Sequence, residues 1–293
     1  MNRLSSRASA KVNLTLRVLG KRAGGYHDLV SLVAFSDVGD EVAFIPGGRL
    51  DLDLMGPNAA AAGAKSANLV LIAARALAER VNGLKLGRFE LTKHLPVGAG
   101  LGGGSSDAAA ALRLLATAND LKIEDSRILA AAGETGADVT VCLQQKARLV
   151  SGVGERLLPP LPLPPLPAVI VFPGVQLATK EVFETHDESG LESLSGSFAD
   201  HPESGAIPLE RDTLIAFLNT QTNDLTRSAH QLTPAITIVD ERLYRTAGVR
   251  LVRMSGSGSS VFALYDDMAL AEKAATEIRA EHSDWWVSAT TLR

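Results

Sequence analysis

The chain has 293 residues, a net charge of −4, 46% apolar and 21% charged residues, which is a globular composition long enough for two domains with their own cores. No Lys/Arg run stands out, so a nucleic-acid binder is not indicated and any anion binding must be local. The single cysteine, Cys142, excludes an intrachain disulfide and a cysteine metal cluster. It lies in an apolar run at 139–143 and reads as a core residue in a reducing compartment. Neither an apolar run of about 18 residues nor a basic-then-apolar leader occurs, so the expected address is cytoplasmic.

In chain order, residues 14–18, 41–44, 50–54 and 89–91 cluster or alternate apolar side chains over short lengths, which predicts strands. Ser66, Ala67 and Asn68 open a predicted helix reaching residue 82, with Leu69, Ile72, Ala73, Ala76 and Leu77 on one face. Helices are also predicted over 107–118 and from 128. Six of the nine positions 159–167 are proline, which stiffens the chain into an extended connector. The domain boundary is expected there, giving residues 1–158 and 159–293. Beyond it, residues 168–172 predict a buried strand. The stretch 190–206, rich in Ser, Gly and acidic residues, predicts a surface excursion. Strands at 251–254 and 261–265 flank a second Gly-Ser loop, and 269–281 predicts an amphipathic helix. The pattern is mixed α+β, with no internal repeat.

Residues 95–111 carry the strongest chemical signal. Five glycines and two serines lead into an alanine-rich helical segment. The first amides of a helix lack intrahelical partners and carry the positive end of its dipole, and glycines let them approach an anion closely. This is the composition of a phosphate cradle. A Walker loop needs a Lys-Ser/Thr pair after its last glycine, whereas Gly104 is followed by Ser105 and Ser106. The dinucleotide spacing is met by Gly98, Gly100 and Gly103, but Asp120 falls in a polar break rather than at a strand end. A turn without a ligand, a dehydrogenase and a noncatalytic phosphate-binding module are the other readings of the residues.

Pro96, Gly100-Leu101-Gly102 and Gly103-Gly104-Ser105-Ser106 closely resemble the second motif of the GHMP kinase superfamily. Ala10-Lys11-Val12-Asn13-Leu14 resembles its first motif and residues 254–263, Met-Ser-Gly-Ser-Gly-Ser-Ser-Val-Phe-Ala, its third, in the family's order. The resemblance spans nearly the whole chain. It implies a two-domain α+β fold, a ribosomal protein S5 domain 2-like N-terminal domain and a ferredoxin-like C-terminal one. It also implies an ATP-dependent kinase. Phosphates would lie on Pro96, Val97, Gly98, Ala99, Gly100, Leu101, Gly102, Gly103, Gly104, Ser105 and Ser106, with Asn68 and Lys93 in the adenine pocket. Asp138, in Gly136-Ala137-Asp138, would be the base, and Lys11 its charged partner; an adjacent cation favours the ionised carboxylate. From the residues alone, Asp138 reads first as a helix cap or turn aspartate, and Lys11 as a solvated strand edge; the resemblance reverses that order. Asn68 and Lys93 read equally as a cap and a solvated charge. The motif's usual leading proline is Ser9 here, which loses a φ-fixing residue but no functional group.

The segment around Gly25-Tyr26-His27 is similar to that of the family member that phosphorylates a cytidine diphosphate-linked polyol in isoprenoid precursor synthesis. By that likeness Tyr26 and His27 would frame the cytosine, and Asn13, Thr179 and Phe183 would hold the acceptor. Gly152-Val153-Gly154-Glu155 matches its glycine turn. Siblings acting on homoserine, mevalonate or galactose keep the three shared motifs and remain the alternative. Mg²⁺ is expected because it offsets charge on the β- and γ-oxygens, with Ser106 as the expected ligand. Partners beyond the small-molecule substrate are not indicated, and monomer and homodimer both stay open.

Overall fold

The computed structural model describes residues 3–22, 24–189 and 206–293. The excursion expected at 190–206 therefore lies, but for its last residue, outside the described residues. Two compact units emerge: residues 1–11, 38–97 and 102–145 form one, and 12–37, 98–101 and 146–293 the other. Two long strands, β1 (Leu4–Asn13) and β3 (His27–Pro46), contribute residues to both.

In the first unit, β3 pairs antiparallel with β5 (Gly87–Thr92), which pairs parallel with β4 (Asp51–Met55). A parallel pair needs a crossover, and α1 (Leu69–Ala78) lies in it. Phe44 and Phe89 face each other across β3 and β5 with ring centroids 4.7 Å apart. α2 (Gly103–Ala118) packs on α1, α3 (Ser126–Thr135) and α4 (Ala137–Cys142). Its stretch from Ser106 to Leu112 is buried throughout, so the alanines read in the sequence are interior contacts of a central helix. α2 starts four residues earlier than the apolar periodicity predicts. Gly102, left-handed at φ 62°, turns the chain so that the glycines occupy the first helical turn.

In the second unit, the first half of β3 pairs antiparallel with β2 (Arg17–Lys21) and β6 (Arg148–Gly152), and β6 with β7 (Arg156–Leu157). Four further strands run in the order β11 (Trp286–Leu292), β8 (Leu166–Phe172), β10 (Val261–Tyr265), β9 (Val249–Met254), all antiparallel. β8 is buried along its whole length, as its Ala-Val-Ile-Val run implies for a central strand. Pro167 pairs with Thr291 of β11, while the β10 ladder stops at Ala168, before the residue that has no N–H to donate. α5 (Thr179–Glu188), α6 (Arg211–Asn219), α7 (Thr226–Leu232), α8 (Pro234–Tyr244) and α9 (Met268–Glu281) complete the unit. Its core joins Val169, Val171, Ile236, Val239, Val261, Tyr265 and Ile278 with Leu16 and Val18 from the beginning of the chain.

Two expectations shift. Of the strand expected at 14–18, residues 17–18 begin β2, while 14–16 form the connection between β1 and β2: Leu14 N donates to Leu32 O, and Leu16 N to Thr222 O. Its alternating leucines are buried by a loop rather than by a ladder. The compact units also part at 145/146 rather than at the prolines, because β6 and β7 pair with the first half of β3. Among the described residues, no helix is long and apolar enough to cross a membrane.

Candidate active site

In the first unit, the Gly-rich segment ends on the N-terminus of α2, where no side chain caps the helix. Gly103, Gly104 and Ser105 are partly or fully exposed there, and their amides, in the first turn, lack intrahelical acceptors. This is the electropositive end of a 16-residue helix, open to an anion. Lys11, near the end of β1, packs its stem against this turn: a Cβ at Gly102 would lie 3.2 Å from Lys11 Cβ. The Lys11 ammonium donates to Asp138 Oδ1 at 2.9 Å, its side chain 9% exposed and that of Asp138 46% exposed.

Asp138 owes its place to Gly136, which ends α3 and begins α4 in an extended conformation, putting the carboxylate in the first turn of α4. Burial alone would depress the Lys11 pKa, but the charge and hydrogen bond of Asp138 outweigh it and hold it above the ordinary lysine value. Lysine therefore stays charged beside a half-exposed carboxylate. Such a pair can accept a proton on the aspartate while the cation offsets negative charge nearby.

Ser106 does not fit the metal-ligand expectation. Its side chain is buried, its hydroxyl donates to Ser9 O at 2.6 Å, and its Oγ lies 3.2 Å from Cys142 Sγ. α2 turns it inward because its neighbour Ser105 takes the outward position. Cys142 is buried as expected, and burial, followed by the charge of Asp138, pushes its thiol up to about 12. A thiol so raised is a core residue rather than a nucleophile.

Asn68 caps α1, its Oδ1 accepting from Val70 N at 3.0 Å. Lys93 does not line an open pocket: it is buried, and its ammonium donates to Asp40 Oδ2 and to Asp107 Oδ2. Burial works against that charge, but the two carboxylates hold the Lys93 pKa above the ordinary value.

One positioning residue escapes sequence reading. Arg113 of α2 donates to Cys142 O and Leu143 O at the end of α4, and to Arg7 O and Ser6 Oγ of β1. It thus ties the helix bearing Asp138 to the strand bearing Lys11. The signal for it is a lone arginine in an otherwise apolar helical run.

In the second unit, residues 98–101 meet the third Gly-Ser segment. Ser260 N donates to Ala99 O at 3.2 Å. Gly100, at φ +75°, has the carbonyl of Gly258 2.4 Å from where a Cβ would stand, so a side chain there is excluded. Asn223, also missed in the sequence, supports this segment by donating to Met254 O and Gly256 O at 2.9 and 2.8 Å. Thr179 and Ser257 join by their hydroxyls at 3.0 Å. Asn13 is buried, with its Nδ2 donating to Ser31 Oγ at 2.7 Å and its backbone N–H to Ser255 Oγ at 3.1 Å.

The aromatic group is arranged differently from the expected frame. His27 stacks on Phe183, centroids 4.6 Å apart at 18°, and its Nε2 lies 2.7 Å from Asp187 Oδ1, while Tyr26 is 70% exposed. A ring pair at that spacing holds no base between its members. Burial would raise the Asp187 carboxyl, but hydrogen bonds from Lys21 and His27 outweigh it and hold it below the usual carboxylate range. Asp187 thereby orients the imidazole; sequence offered no sign of it because it is 160 positions from His27.

An uncapped helix N-terminus thus lies beside a Lys-Asp pair. Residues 68–146 match the GHMP kinases N terminal domain and 211–284 the GHMP kinases C terminal domain. The chain belongs to the GHMP kinase family. It is 50% identical to the 4-diphosphocytidyl-2-C-methyl-D-erythritol kinase of Methylorubrum extorquens over 293 residues, covering 100% of both chains. With the enzyme of the same name from Rhodopseudomonas palustris it is 52% identical over 297 residues, 99% of this chain and 97% of that one. The crystal structure of a 4-(cytidine 5'-diphospho)-2C-methyl-D-erythritol kinase superposes with a TM-score of 0.77 at 34% identity, covering 99% of each chain. A homoserine kinase from Cytophaga hutchinsonii shares the fold at 20% identity and a TM-score of 0.71, over 99% of this chain and 96% of that one.

Proposed function

We propose that the chain transfers the γ-phosphate of ATP to the 2-hydroxyl of 4-diphosphocytidyl-2-C-methyl-D-erythritol, a step of non-mevalonate isoprenoid precursor synthesis. The observation that carries the chemistry is Lys11, packed against Gly102 and bonded to Asp138 at 2.9 Å, beside the uncapped start of α2. Amides of that first turn hold the phosphates, Asp138 takes the proton of the attacking hydroxyl, and Lys11 offsets charge as it moves. The acceptor is assigned by relatives of the same name about 50% identical over the whole chain.

His27, Phe183 and Thr179 bind its cytidyl and polyol parts in this reading, with Asn13 supporting them. Mg²⁺ supplies charge neutralisation on the β- and γ-oxygens. Among the described residues no group of three or more His, Cys, Asp or Glu could hold a metal ion. That suits an ion carried chiefly by phosphates, with the part-exposed Ser105 hydroxyl and the Asp138 carboxylate as protein donors.

ADP release from MgATP tests the assignment, with 4-diphosphocytidyl-2-C-methyl-D-erythritol, homoserine, mevalonate and galactose compared as acceptors. Turnover with the cytidyl substrate alone is expected. Turnover with another acceptor keeps the kinase and discards the acceptor, and none with any overturns the kinase assignment.

A further inference from the structure

We propose that Asp40, Lys93 and Asp107 are positioning residues that staple the two stems of the Gly-rich loop together and so set its geometry for the nucleotide. The proposal rests on the reading of that loop as the ATP cradle. All three side chains are buried, at 0%, 3% and 2% exposure, and they come from three elements: β3, the end of β5 and α2. Asp40 Oδ1 accepts from two successive backbone amides, His94 N at 2.5 Å and Leu95 N at 2.8 Å, immediately before Pro96. Its Oδ2 accepts from Lys93, and the same ammonium reaches across to Asp107 Oδ2 at 2.8 Å, in the second turn of α2. A Cβ at Gly103 would lie 3.5 Å from Lys93 Nζ, so the helix start rests on the lysine head. The entry stem and the exit stem are thus held by one ammonium.

Stability gives little reason to keep this arrangement. Two carboxylates share one cation, and Asp107 Oδ1 is buried without a hydrogen-bond partner. Buried groups left unsatisfied reduce stability, and apolar residues of similar volume commonly replace such clusters without loss. Burial, partly opposed by Lys93, raises the Asp107 carboxyl above the usual carboxylate range, which marks the same cost. What the cluster supplies is direction: charge-assisted bonds fix loop stems more tightly than apolar packing does. Glycines within the loop provide no stiffness of their own, so the register of the phosphate-binding amides depends on where the stems are held.

The test is a KM split in the full-length protein. Asp107→Leu leaves a neutral Lys93–Asp40 pair and cuts the link to α2; KM for MgATP is expected to rise about tenfold, or about 1.4 kcal/mol. KM for the acceptor should move less than about twofold. Asp107→Asn, which keeps a hydrogen-bond acceptor for Lys93, should restore KM for MgATP. If the leucine variant does not fold, Asp107→Ser, too short to reach the ammonium, carries the same expectation. Unchanged nucleotide constants in the leucine or serine variant overturn the staple, as do equal losses for both substrates that follow the melting temperature. A wild-type protein that binds no MgATP would instead refute the cradle, a separate failure seen before any variant is made.

Discussion

Asp138 and Lys11 are 127 residues apart in sequence and 2.9 Å apart in space, and the proposed mechanism depends on that pair. Asp138→Asn removes the proton acceptor while keeping the side chain's shape, so turnover should fall by a factor on the order of 10² to 10⁴. MgATP affinity, which the proposal assigns to the α2 amides, should persist. The variant also leaves Lys11 buried without its charged partner. A group whose pKa is raised on folding contributes stability at pH values below its unfolded pKa of 10.5 and loses it as pH rises through the folded value, so at neutral pH the variant should melt lower. Comparing kcat with the folded fraction separates the two effects, and wild-type turnover in folded protein would remove Asp138 from the mechanism. At this scale, motif residues with a local signature were legible as candidates, and the structure brings Lys11, Asp138 and Gly102 together, their roles being those proposed above. The supporting residues were not: Arg113 beside the Lys-Asp pair, Asp187 on His27 and Asn223 under the third Gly-Ser segment each act through partners at least 29 positions away and leave no spacing to read. Ser106 and Lys93, expected at an open site, are turned inward, since sequence order does not say which face of a helix or strand end meets the core.

The elements came through where periodicity was long and failed where chemistry overrode it. α9 and the strands on either side of the third Gly-Ser segment were readable from apolar spacing alone. α2 was read short because glycine is a poor helix former, yet an uncapped glycine turn is what exposes amides to an anion. Asn68 illustrates the same ambiguity at the start of α1, where a cap and an adenine contact are both available to one side chain. Asn68→Ala should cost about 1 kcal/mol of stability through the lost cap, while Asn68→Asp, which keeps the capping oxygen, should melt like the wild type. Equal destabilisation in both variants would show that the cap oxygen is not what matters. With the aspartate variant at full stability, its KM for MgATP reads the Nδ2 group directly: a rise marks the nucleotide contact that the family resemblance implies.

At the scale of the whole molecule, the six prolines at 159–167 looked like a boundary because composition shows stiffness and not pairing. The connector forms neither helix nor strand before Leu166, and it joins two parts of one compact unit. The core of that unit draws Leu16 and Val18 from the start of the chain, packed with Val169, Val171, Val261 and Ile278. β3 takes β6 along residues 29–33 and touches β11 at Ser36. A fragment of residues 159–293 keeps β8 to β11 but loses β2, β3, β6 and the two apolar side chains, leaving β11 short of its partner and the core open on one side. Exposed apolar surface and an unpaired edge favour association over folding. Expressed alone, that fragment should therefore show no cooperative melt by circular dichroism, whereas the full chain should. Adding residues 12–37 back through a flexible linker should restore part of the transition, since those residues supply Leu16, Val18 and the first half of β3. A sharp melt of the isolated fragment would mean that its own helices close the core without the N-terminal strands, and the proline stretch would then be a true folding boundary.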